Sequence, residues 1–205
     1  MEENNNIFTV FDKIAGRKHK ELLLNQKSIS VWLIGLSGAG KTTIGIELEK
    51  LLIEKGFLTQ ILDGDNIRSG INKNLRFTEK DREENIRRIA EVNKLFLNCG
   101  VITINCFINP TKETRDFVEN ILGKDDLMEV FINTPMEVCE ARDVKGLYAK
   151  ARRGEIQNFT GINSPFDPPE NPDVTVSTEN QTPKDSAQTI LDVLLPVIEK
   201  NETSF

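Results

Sequence analysis

The sequence predicts a three-layer α/β/α domain around a parallel β-sheet, and three observations carry that prediction. Short apolar runs alternate along the chain with amphipathic stretches, the order that builds βαβ units. The chain has 205 residues, long enough for one well-buried domain of this kind and short for two. Residues 35–42 read Gly35-Leu36-Ser37-Gly38-Ala39-Gly40-Lys41-Thr42, a complete G-x-x-x-x-G-K-T phosphate loop, set between an apolar run and a helical pattern.

Taken in order, residues 1–28 read as a helical extension. Its amphipathic lead-in helix spans 7–27, with Phe8, Phe11, Ile14 and Leu22 to Leu24 at the apolar positions. A strand over 29–34 feeds the phosphate loop, which opens a helix over 43–55 ending near Gly56. A second strand over 58–62 runs into Asp63-Gly64-Asp65, where Gly64 is expected to let the chain turn sharply between two acids. A long helix from about 79 to 98 starts at Thr78-x-x-Asp81, a capping-box pattern, and leads through Gly100 into a strand over 101–107. Then come a helix at 112–122, a strand at 127–133 and a helix at 135–142. A polar, glycine-punctuated stretch at 143–172 has too little apolar periodicity for a core helix. A short strand at 173–177 and a helix at 184–199 complete a single P-loop nucleoside triphosphate hydrolase-type domain over 29–205. In such a sheet, ligands collect at the carboxyl ends of the strands.

Composition excludes several function classes. Net charge is −6, which argues against a nucleic-acid partner. No apolar stretch approaches the roughly twenty residues of a membrane span, and the N-terminus is acidic and polar, unlike a secretory signal. Cys99, Cys106 and Cys139 lack metal-ligand spacing and read as small buried hydrophobes in a reducing, cytoplasmic setting. The cations form two islands, Arg68 to Arg88 and Arg142 to Arg153, which suit a small polyanionic ligand.

Three groups carry the chemistry. In the phosphate loop the glycines let backbone N–H groups converge on phosphate oxygens. Lys41 reaches the outer phosphates, and Thr42 offers a hydroxyl to Mg²⁺. Asp63, at a strand tip beside that loop, can hold Mg²⁺ or accept a proton from an attacking hydroxyl. On the long helix Arg82, Asn85 and Arg88 share one flank and are candidate anion ligands, while Phe77 can staple the helix or stack on a base. The basic segment 142–154, continuing through Phe159-Thr160-Gly161, reads as a lid over about 143–165. Phosphoryl transfer needs such a lid because water competes for the phosphoryl group.

With these residues in view, the chain closely resembles the adenylylsulfate (APS) kinases. Four ordered motifs between about 29 and 173 carry the resemblance: the phosphate loop, Leu62-Asp63-Gly64-Asp65-Asn66-Ile67-Arg68, Asp81-Arg82-x-x-Asn85-Ile86-Arg87-Arg88, and Lys145-Gly146-Leu147-Tyr148 with Phe159-Thr160-Gly161. The resemblance implies an ATP- and Mg²⁺-dependent kinase that phosphorylates the 3′-hydroxyl of APS, usually as a homodimer. It implies ATP contacts at Gly35, Ser37, Gly38, Ala39, Gly40, Lys41, Thr42, Thr43, Arg142 and Lys145. It implies acceptor contacts at Asp65, Arg68, Phe77, Arg82, Asn85, Ile108 and Phe159, the two aromatics sandwiching the adenine. Asp63 and Lys41 would be catalytic, with Thr42 and Asp63 at the metal.

Two positions depart from the family pattern. Arg76 stands where members commonly have glycine, and Asn109 where they commonly have serine in Ile-Ser-Pro. Both lie beside the implied acceptor site, so a related 3′-kinase acting on another 5′-modified nucleotide, such as a cytidine diphosphoramidate, is the alternative. Asn109 has no hydroxyl and a delocalised amide lone pair, so transfer should be direct rather than through a phosphoenzyme. A GTP-dependent switch is disfavoured, because no Asn-Lys-x-Asp motif occurs.

Overall fold

The computed structural model describes residues 7–11 and 13–200. Five parallel strands form one sheet in the order β2-β3-β1-β4-β5: β1 (Ser30–Ile34), β2 (Thr59–Asp63), β3 (Ile102–Cys106), β4 (Leu127–Asn133) and β5 (Val174–Ser177). β1 is buried along its whole length, as a central strand covered on both faces must be. Its alternation divides the core. Val31 and Leu33 face the layer of α2 (Lys41–Glu54) and α8 (Pro183–Ile198), with Ile44, Leu48, Ile190 and Leu194. Trp32 and Ile34 face the layer of α4 (Glu79–Asn98) and α5 (Lys112–Leu122), with Ile86, Ile89 and Val118. The expected three-layer α/β/α architecture is therefore the one observed. Among the described residues, no helix is long and apolar enough to cross a membrane.

Four local expectations are corrected. The lead-in helix is α1 (Arg17–Leu24) alone, and residues 7–11 and 13–16 are not helical. Ile7, Phe8, Val10, Phe11 and Ile14 are exposed, so no packing offsets the cost of nucleating a helix from β-branched and aromatic residues. In α1 it is not Leu22 and Leu23 that turn inward but Glu21, which accepts from the Ser28 N–H at 2.9 Å and from the Arg17 guanidinium at 2.8 Å.

Gly64 makes no sharp turn. It opens a short helix, α3 (Gly64–Ser69), with Asp63 as N-cap accepting from the Asp65 N–H. The polar stretch after α6 (Met136–Arg142) contains another helix, α7 (Leu147–Arg152), whose Tyr148 and Ala151 are buried in the core. Finally, Cys106 and Cys139 are buried as expected, but Cys99 is exposed.

Candidate active site

The phosphate loop joins β1 to α2, so the first-turn N–H groups of α2, which have no intrahelical partner, point out over the carboxyl end of the sheet. Two glycines are required by geometry. A Cβ at Gly35 would come within 2.8 Å of the Ile132 carbonyl oxygen, and Gly38 holds φ +76 with a Cβ position 3.1 Å from the Cys139 carbonyl oxygen. The loop is braced from outside: Thr134 donates its hydroxyl to the Ala39 carbonyl at 3.1 Å, and Tyr148 donates to the Ser37 carbonyl at 3.0 Å. Arg142 donates to Thr178 Oγ1 at 3.1 Å and to the Thr178 carbonyl at 3.0 Å, tying the end of α6 to the chain just past β5.

Lys41 is buried and donates to the carbonyls of Gly35 at 2.8 Å and Leu36 at 2.7 Å. Burial pushes its ammonium down to about 8, partly opposed by the Asp63 carboxylate. Phosphate anions at the loop would reverse that shift by favouring the charged form. Burial pushes the Cys106 thiol, beneath the loop, up to about 12, which leaves it protonated and inert.

Asp63 ends β2 two strands away from the loop, and the sheet brings the two together. Its Oδ2 accepts the Thr42 hydroxyl at 2.8 Å while Oδ1 accepts the Asp65 N–H at 3.0 Å. A hydroxyl and a carboxylate oxygen in contact, beside a phosphate cradle, are the hard oxygen donors that Mg²⁺ takes from a protein, its remaining ligands being phosphate oxygens and water. Among the described residues no cluster of three or more His, Cys, Asp or Glu side chains is placed to hold a metal.

Of the residues expected at the acceptor, contacts tie together those on α3, the turn before α4, α4 itself and the 143–165 segment. Arg68, at the end of α3, lies with its guanidinium carbon 4.5 Å from the Phe77 ring centroid and donates to the Arg76 carbonyl at 3.1 Å. Phe77 is 60% exposed, so its ring is free to take a base. Thr78 caps α4 by accepting from the Asp81 N–H at 3.2 Å, but the reciprocal half of the expected capping box is missing. Asp81 instead accepts from the Arg76 N–H at 3.1 Å, which fixes the turn that presents Phe77.

Arg82 donates to Thr160 Oγ1 at 2.9 Å and to the Asn158 carbonyl, joining α4 to the 143–165 segment. Lys145 pairs with Asp65 and joins that segment to α3. Ile108 is half-buried beyond the tip of β3. Asn109 is buried with φ 42, a left-handed conformation that asparagine tolerates. Thr111 caps α5.

Two expected ligands sit differently. Phe159 is buried and meets Tyr148 edge-on at 4.9 Å, because the apolar side of α7 needs a partner; a base could stack on it only after the ring moved. Arg88 is engaged within the chain, bonding Glu84 at 2.7 Å and Asn74 at 3.0 Å. Two cations of the basic segment are likewise paired, Arg152 with Glu140 and Arg153 with Glu155. The sequence reading missed Thr134, Thr178, Thr160 and the bracing role of Tyr148, all of which act through backbone carbonyls or single hydroxyls.

A nucleotide cradle, a carboxylate beside its hydroxyl and a cation-lined acceptor face define a P-loop phosphotransferase. A model of the adenylylsulphate kinase family matches residues 27–177, and the chain belongs to that family. The adenylyl-sulfate kinase of Bacteroides thetaiotaomicron is 58% identical over 200 residues, covering 98% of this chain and all of that protein. That of Clostridium kluyveri is 53% identical, covering 88% of this chain and 90% of that protein. Among solved structures, the Mycobacterium tuberculosis APS kinase CysC in complex with AMPPNP and APS superposes with a TM-score of 0.79 at 42% identity. The match covers 82% of this chain and 98% of that one.

Proposed function

We propose that the chain transfers the γ-phosphoryl group of ATP to the 3′-hydroxyl of adenylyl sulfate, giving 3′-phosphoadenylyl sulfate and ADP in sulfate activation. Relatives named adenylyl-sulfate kinase at 54–58% identity over nearly the whole chain support that acceptor. The observation that carries the mechanism is the Thr42–Asp63 contact, which sets a carboxylate between the phosphate cradle and the face bearing Arg68, Phe77, Arg82 and Asn85.

In this reading the loop N–H groups and Lys41 hold the β- and γ-phosphates, and Arg142 lies near the ATP base. Thr42 and Asp63 would hold Mg²⁺, which neutralises charge on the phosphates. Asp63 accepts the proton of the 3′-hydroxyl as it attacks in line. Arg82, Arg68 and Asn85 orient the phosphosulfate, with Asp65 and Ile108 at the margin of the same face, and Phe77 stacks on the adenine. Phe159 joins it only if the lid rearranges on binding. Residues 143–165 act as that lid, with Lys145 exchanging Asp65 for a phosphate oxygen. Direct transfer follows from the side chain at 109, which offers no hydroxyl.

We read residues 29–205 as the catalytic unit and 1–28 as an extension. The exposed apolar side chains of residues 7–14 support a homodimer contact, since clustered exposed apolar surface marks interfaces. Three free cysteines fit a reducing cytoplasm. A coupled assay with ATP and Mg²⁺ against APS and a panel of CDP- and ADP-derivatives tests the acceptor. APS should give the highest kcat/KM, and faster turnover of a cytidine diphosphoramidate would overturn the assignment.

A further inference from the structure

Between α3 and α4 the chain wraps a loop whose Asn72 is fully buried although nothing in its composition marks it as core. The loop is fixed by its own backbone: the Asn72 N–H donates to the Ile67 carbonyl at 3.0 Å, and the Asn72 carbonyl accepts from Leu75 at 2.9 Å. The Asn72 side chain donates from Nδ2 to Asn85 Oδ1 at 3.0 Å, and Asn85 is itself buried on α4. On its other side Asn72 Oδ1 faces Arg88 Nη1 at 3.4 Å. Arg88 is held there by Glu84 at 2.7 Å, by Asn74 Oδ1 at 3.0 Å and by the Ile71 carbonyl at 3.4 Å.

This order has a direction. An amide side chain can present either its oxygen or its nitrogen, but a guanidinium only donates. The Asn72 atom facing Arg88 is therefore the oxygen, which turns the Asn72 nitrogen toward Asn85 and occupies the Asn85 oxygen. What remains of Asn85 is its nitrogen. Among the described residues Asn85 Nδ2 has no hydrogen-bond partner, and it is not one of the side-chain atoms sealed from solvent without one, which are Thr59 Oγ1 and Asn109 Oδ1. A phosphosulfate group has only acceptor atoms, so a donor is what it needs; the reversed amide would set a carbonyl oxygen against an anion.

We propose that Asn72 is a positioning residue that locks the Asn85 amide nitrogen-outward, as a donor to the anionic group of the acceptor, with Arg88 setting the polarity of the relay. This rests on the reading of Asn85 as an acceptor ligand. Arg88, one of the cations expected to bind the anion, acts two residues removed from it.

The test is a double-mutant cycle of Asn72→Asp and Asn85→Ala, reading KM for APS and for ATP, kcat and the melting temperature. The carboxylate introduced by Asn72→Asp can only accept, so it draws the Asn85 nitrogen inward and turns its oxygen toward the anion. Asn72→Asp alone should raise KM for APS about tenfold or more, the scale of a hydrogen bond to a charged group, and change KM for ATP less than twofold. In the Asn85→Ala background it should add less than twofold, since a residue acting only through Asn85 has nothing left to act on. Equal effects in both backgrounds, equal rises in both KM values, or an unchanged KM for APS in Asn72→Asp would overturn the relay. Should Asn85→Ala itself leave KM for APS unchanged, the ligand reading fails, and the relay with it. If Asn72→Asp does not fold, Asn72→Ser carries the same cycle: its hydroxyl donates or accepts equally well, so the polarity is lost without a buried charge.

Discussion

In the proposed function, the ATP side and the acceptor side are built from different materials. The ATP side is backbone: glycine-enabled N–H groups at a helix N-terminus, carbonyls braced by Thr134 and Tyr148, and one buried lysine turned back on the loop. The acceptor side is side chains reaching from α3, α4 and the 143–165 segment, held by Arg82–Thr160, Lys145–Asp65 and the Arg68–Phe77 stack. A backbone site needs a fixed motif and tolerates little. A side-chain site can be retuned one residue at a time, which is where Arg76 and Asn109 depart from the family pattern.

The largest separation of the two sides should come from Lys41→Met. Loss of the ammonium should cut turnover by about 10²–10³, the scale for removing a donor aimed at developing charge, while binding of APS alone is little changed. The same residue gives a pH signature. The ammonium is held near 8 in the ligand-free fold, so at about pH 8.5 much of it is neutral, and ATP should draw a proton onto it. Calorimetry in buffers of different ionisation enthalpy should find proton uptake on ATP binding between about pH 8 and 10, and none in Lys41→Met. By the same linkage, the lowered lysine makes the fold lose stability as pH falls from 10.5 to about 8: the folded chain sheds its proton from about 8 upward while the unfolded chain keeps it to 10.5. The unfolded state therefore binds more protons in that window, and stability rises with pH across it.

The two aromatics divide next. Phe159→Ala empties a packed site against Tyr148 and should cost on the order of 3 kcal/mol of stability, read as a lower melting temperature. Phe77→Ala should barely move the melting temperature but raise KM for APS about tenfold, as loss of a base stack would. If Phe77→Ala instead destabilises the fold, the ring is a staple rather than a clamp. The smallest effect is expected at Arg152→Ala: its pair with Glu140 is exposed to solvent, so the melting temperature and turnover should both be nearly unchanged. A large loss of turnover there would mean that the lid cations touch phosphate directly.

Legibility in the sequence follows the same division. The sheet was readable because its strands are short runs rich in β-branched and aromatic residues, the central β1 and β3 buried along their whole length and the edge strand β5 alternating buried with exposed; the helix read at 112–122 is α5 to the residue, with Thr111 capping one end and Gly123 following the other. The phosphate loop was readable because backbone geometry dictates its glycines. The short helices α3 and α7 escaped because six residues hold less than two turns of periodicity, although Tyr148 and Ala151, three apart, were the available signal. The lead-in helix was overextended because an apolar period was present with nothing to pack against. Asn72 was invisible: its role depends on which partners face its amide, and no spacing rule records that.

The measurement that tests the division most directly is Asp63→Asn, with ATP affinity and turnover determined on the same preparation. Asp63 makes its direct contact with the ATP side through Thr42, and ATP is held chiefly by the loop N–H groups and Lys41, so ATP affinity should stay within about threefold while kcat falls by about 10²–10⁴, the usual cost of losing a general base. A variant that keeps near-normal kcat would move the base elsewhere, with Asp65 next in reach. A variant whose ATP affinity collapses along with its turnover would contradict the account, because the nucleotide cradle would then depend on the acceptor-side carboxylate.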